Sequence, residues 1–150
     1  MKSKLCLLLL AISTMLGCYM NARLYPVQGP LAAQTPVPVL MAKITGKVNA
    51  ESISVVLSDG EECKGRWVFV NNVQSSKGPN SVTAPTTELS GAWDSIYGPN
   101  FYSSRIIGAK YYAQAVARGN RGTILNVELY GDKGVAKDDK GNIYKLVFQR

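Results

Sequence analysis

The first eighteen residues, MKSKLCLLLLAISTMLGC, constrain this chain more than any other stretch. Lys2 and Lys4 precede an uncharged twelve-residue run, Leu5 to Leu16, which closes on Gly17-Cys18. A helix that crosses a bilayer needs about 20 apolar residues, so the run is too short to span. A basic start followed by a short apolar segment has the form of an export signal that is later removed. Taking Met1–Gly17 from the 150 residues leaves 133, enough for one domain and not for two.

The ending of that run resembles the signal of bacterial lipoproteins, where a small residue precedes the cysteine that becomes the new N-terminus. Gly17 and Cys18 match; Met15 stands where Leu is usual, and Leu16 where a smaller residue is usual. The resemblance covers residues 1–18 only. It implies a thioether-linked diacylglycerol on Cys18, usually with a third, amide-linked chain, and so a membrane partner reached through lipid. Two or three acyl chains anchor stably where one, at about 0.8 kcal/mol per buried CH₂, binds only marginally. Tyr19, not Asp, follows the cysteine, which by the same resemblance favours the outer membrane. The alternative is an ordinary secretory signal with Cys18 near the cut.

Charge and cysteine content narrow the function classes. The chain carries 17 basic and 10 acidic side chains; the signal removes two Lys, leaving 15 against 10, or +5. The basic residues are scattered, with no run that resembles a nucleic-acid footprint. Diffuse positive charge suits solubility or a neighbourhood of anionic lipid and cell-wall polymer. With Cys6 in the signal and Cys18 acylated, Cys63 is left alone and has no internal disulfide partner. It is either buried as a small apolar side chain or paired with another chain; its place on an apolar strand face favours burial. There is no histidine, which removes Ser-His-Asp and Cys-His nucleophiles and any His-containing zinc site. No cofactor is implied.

Along the chain, residues 18–38 hold Pro26, Pro30, Pro36 and Pro38 and read as a lipidated N-terminus with a proline-rich tether. Some twenty flexible residues would reach on the order of 25 Å. Leu24, Tyr25, Val27 and Leu31 run against a pure spacer and suggest contact with the domain surface. Residues 39–150 form the single domain. Strands are expected at 39–48, 52–57 and 63–70, the last with Cys63, Gly65, Trp67 and Phe69 on one side and Lys64 and Arg66 on the other. A polar loop at 71–87 and a short helix at 88–98 follow. Residues 109–118 fit helical spacing as well as strand alternation; the flanking turn and the strand at 123–130 favour a strand. GVAK and IYKLVF make a final hairpin around Asp138–Asn142. The expected class is all-β and mainly antiparallel: a small sandwich or barrel of about 6–7 strands with one or two short helices.

Two constellations are candidates for function. Trp93, Tyr97, Phe101, Tyr102, Tyr111 and Tyr112 fall within twenty residues. Rings with polar edges suit stacking on sugar or holding a protein at low entropic cost; the competing role is a satellite cluster that plugs the open end of the sheet. Turn acids are the other: Asp59, Glu61 and Glu62, and Asp132, Asp138 and Asp139. Acids in turns mostly bond their own backbone, but a pair flanking a cleft is what glycoside hydrolysis uses. The expected function is a membrane-anchored, non-enzymatic binding or structural module for an envelope protein or polysaccharide. The alternative is a carboxylate-dependent hydrolase acting on cell-wall or other glycan.

Overall fold

The computed structural model describes residues 19–45, 52–70, 89–109 and 112–149. Eight strands follow one another round a closed antiparallel barrel: β1 (Tyr19–Gln28), β2 (Leu40–Thr45), β3 (Ser52–Val56), β4 (Glu62–Val70), β5 (Tyr112–Gly119), β6 (Ile124–Tyr130), β7 (Lys133–Asp138) and β8 (Ile143–Phe148). β8 pairs back on β1, with Leu24 opposite Leu146, so no strand edge is left to template aggregation. A helix, α1 (Ser90–Tyr97), and one π-helical turn, Tyr102–Ile106, lie between β4 and β5. The all-β barrel class expected from alternation holds, with eight strands.

The eighth strand is β1, and it corrects the tether reading of residues 18–38. Residues 19–28 pair with β2 on one side and β8 on the other, and Ala22 and Leu24 are fully buried in the barrel. Proline does not prevent this because Pro26 sits where the register to β8 shifts and beyond the last β2 pair, Leu24–Leu40. Its missing N–H therefore costs no ladder bond, as is usual for strand prolines at bulges. Pro30, Pro36 and Pro38 fall in the β1–β2 connection, where Leu31 packs partly buried against the core.

An eight-stranded barrel encloses a space just wide enough for side chains to fill. Here large residues (Leu24, Leu40, Ile53, Trp67, Tyr144, Leu146) share the interior with Ala22, Ala42, Ala113, Ala115, Ala117 and Ala136. Two strand glycines sit where a side chain would crowd its neighbours. A Cβ on Gly65 would lie 2.5 Å from the Val116 carbonyl oxygen, and one on Gly134 2.6 Å from Leu129 Cδ2. Cys63 is a free, fully buried thiol in this core, and burial pushes it up to about 11. The outer wall carries Arg23, Lys43, Lys64, Arg66, Arg118, Lys137 and Lys145. Apolar inside and charged outside is the reverse of a membrane-spanning barrel, and among the described residues no helix is long and apolar enough to cross a bilayer.

The up-and-down order sorts the connections to two ends. The β1–β2, β3–β4, β5–β6 and β7–β8 connections form one, the loop end. Tyr19, the last residues of β4 and β8, and the β6–β7 turn form the other, the N-terminal end. α1 and the π-turn do not plug either mouth; they lie against the outside of β5, β6 and β7.

Candidate functional site

The aromatic stretch builds that outer layer. Trp93 is completely buried and Tyr112 nearly so, packed with Leu89, Ile106 and Val135; Tyr97, Phe101 and Tyr102 are partly buried against them. Trp93 stacks on Phe101 at 5.7 Å and 10°, and Tyr97 lies 5.3 Å from Trp93 and 5.2 Å from Phe101. The indole Nε1–H donates to Glu128 Oε2 at 2.7 Å inside the layer. Gln114 and the Tyr112 hydroxyl meet the same carboxylate, and burial beside it raises Tyr112 far above the ordinary phenol range. Of the two roles open to the stretch, Trp93 and Tyr112 take the packed-cluster one and leave the candidate binding surface, although the cluster covers the barrel wall and does not plug an end of the sheet. Alternation along β5 puts Tyr112 on the outer wall, where the apolar side of α1, Ala92 and Trp93, packs over it. Tyr111 and Cys18 lie outside the described residues.

The acids converge elsewhere, at the loop end. Glu61, in the turn before β4, is buried although charged. Its Oε1 accepts the Arg121 and Thr123 backbone N–H groups at 2.8 and 3.1 Å, and its Oε2 the Thr123 hydroxyl at 2.5 Å. The niche exists because position 119 has no side chain: a Cβ on Gly119 would run into the Glu61 carboxylate. Asp59 bonds the Glu61 N–H at 3.0 Å and pairs with Arg121 at 2.9 Å and Lys140 at 3.8 Å. Asp138 closes the neighbouring turn by accepting from Lys140 N–H, Asn142 N–H, Asn142 Nδ2 and the Tyr144 hydroxyl. Asn142 Oδ1 in turn accepts Leu31 N–H at 2.8 Å, tying down the β1–β2 connection. Between these turns an open cleft of about 390 Å³ is lined by Asp59, Glu61, Arg121, Thr123, Asp139 and Lys140.

Three carboxyls at this end are held below their ordinary range by donors: Asp59 by the Glu61 N–H, Glu61 by the Thr123 hydroxyl, and Glu62 by the Ser54 hydroxyl and Lys64. All three are ionised at neutral pH. A glycosidase pair needs one carboxyl held protonated as general acid, whereas Asp59 and Glu61 are shifted the other way. Among the described residues the aromatic layer lies on the outer wall, away from this cleft. Among the described residues no three His, Cys, Asp or Glu side chains are grouped to hold a metal. What the cleft offers is fixed charge of both signs on a hydrogen-bonded frame, suited to docking a charged polymer or protein.

Neither a family model, a curated protein nor a solved structure matches the chain. The site thus stands on its own geometry. Arg121, Thr123, Gly119 and Lys140 were not singled out in the sequence because they lie some sixty or more positions from the acids they serve. Only barrel closure brings them together.

Proposed function

We propose that this is a lipid-anchored envelope protein, held by acyl chains on Cys18, whose barrel is a non-enzymatic binding or structural module. Its membrane is the outer membrane, and its partner an envelope protein or polysaccharide met at the loop end. The observation that carries this reading is how near the barrel comes to the cysteine: Tyr19, the residue after Cys18, already pairs with Thr45 in the β1–β2 ladder. Cutting before Cys18 leaves every described strand whole. An anchor there holds the N-terminal end at the membrane and leaves the cleft of Asp59, Arg121, Asp139 and Lys140 at the far end. In crosslinked envelopes, pulldown of the wild type is expected to enrich one consistent partner or polymer. The double variant Arg121→Glu, Lys140→Glu is expected to lose it. Equal capture by both would move the partner site away from the loop end, and capture of nothing by either would count against the binding role.

A further inference from the structure

The two ends of the barrel are finished differently. At the loop end, mouth residues are polar and bonded to one another through Glu61 and Asp138. At the N-terminal end the described mouth residues are apolar and exposed. Met20 pairs with Ile44, and Phe69 with Ala113, so both share the inward face of the sheet. Both should be core residues by that register. Yet Met20 is 53% exposed and Phe69 55%, while Leu129 and Phe148 are only partly covered. Tyr19, 59% exposed, stands at the same rim with Lys43 Nζ over its ring at 5.9 Å. Exposed large apolar side chains grouped together mark an interaction surface.

Two features identify what covers it. The chain bonded to Tyr19 is the apolar signal ending in Cys18, so an anchor at that residue places lipid beside this mouth and nowhere else on the barrel. Charge contributes too: Asp59, Glu61, Glu62, Asp138 and Asp139 lie at the opposite end, Asp132 in the β6–β7 turn at this end is paired with Lys133 at 3.1 Å, and Lys43 stands at the rim. We infer that this apolar rim is a membrane seat: Met20, Phe69 and the Tyr19 ring enter the interfacial region of the bilayer, and the barrel stands on the lipid rather than hanging from it. An amphipathic ring and apolar side chains at a membrane surface gain from burying apolar area while a basic neighbour keeps its charge among the headgroups.

This deepens the lipid-anchor reading and rests on it, but the two fail separately. The full-length mature protein, purified from envelopes, is reconstituted into vesicles of phosphatidylethanolamine and phosphatidylglycerol with brominated acyl chains. Three variants each carry one added tryptophan: Met20→Trp, Phe69→Trp, and Val116→Trp on the outer wall of β5, where Val116 is 47% exposed. A seat at the interfacial depth predicts that the bromolipid lowers the added emission about twofold at positions 20 and 69, with no change at 116. Equal emission at all three positions overturns the seat, whether or not Cys18 is acylated. A mouth-to-mouth dimer that persists in detergent, with no quenching at 20 or 69, also overturns it by giving the apolar rim another occupant. Quenching at 20 and 69 in protein whose Cys18 carries no lipid would sustain the seat and remove the anchor.

Discussion

Trp93 and Trp67 show how two buried indoles differ in what they contribute. Trp93 Nε1 donates to the buried Glu128 carboxylate, whereas Trp67 Nε1 is buried with no partner among the described residues. Removing a donor from a buried charged acceptor costs about 1–3 kcal/mol or more, while removing an unbonded N–H recovers a desolvation penalty. Trp93→Phe is therefore expected to destabilise clearly more than Trp67→Phe, and Trp93→Ala by roughly 3–5 kcal/mol through the added cavity. Urea denaturation of the three variants checks the order. Glu61 makes a pH prediction. Its folded carboxyl lies below the ordinary value of 4.5, so between the two values the unfolded chain binds more protons and stability rises with pH. The contribution is full above about pH 4.5 and is lost as pH falls through the lowered folded value. Glu61→Gln is expected to be less stable at pH 7 and to show a flatter acid limb in the same titration. An acid limb unchanged by the substitution would show that Glu61 is not the group responsible.

At the scale of elements, β1 separates a barrel from a sheet with a tether. It supplies both the β1–β2 and the β8–β1 ladders. Deleting residues 19–28 would expose two strand edges and the interior face of Leu40 and Leu146, and the product is expected to be insoluble or to lose its sheet signal in far-UV circular dichroism. A tether would be dispensable. Strands whose alternation is regular, such as 63–70 and 143–148, were legible in the sequence because burial imposes the period and little else competes. β1 was not, because Pro26 and the prolines beyond it argue locally against pairing. Only the bulge and the β2 boundary, which are tertiary facts, remove the conflict. Leu24 and Tyr25 gave the one hint. Residues 109–118 were ambiguous because alanine suits both a helix and the crowded interior of a small barrel. The aromatic residues were legible as a cluster but not as a layer, since the outward position of Tyr112 depends on the register of β5. The cleft was half legible: its acids announce themselves in turns, but the Arg121 and Thr123 donors that hold Glu61 come from another turn.

For the molecule as a whole, the arrangement is polar in the axial sense: an apolar mouth beside Tyr19, a hydrogen-bonded charged cleft at the other end, and a charged wall between. Such a body has an evident orientation once it is held at one end, and the account assigns that hold to Cys18. If the proposed anchor is right, replacing Cys18 by Ser leaves an uncut, unlipidated precursor, because the proposal puts the cut and the acylation at one residue. The most direct test is mass spectrometry of the N-terminal peptide of the protein taken from its native envelope. The account predicts a peptide beginning at Cys18, carrying a thioether-linked diacylglycerol and continuing straight into Tyr19. A peptide that retains Gly17, or that begins at an unmodified residue, would contradict it.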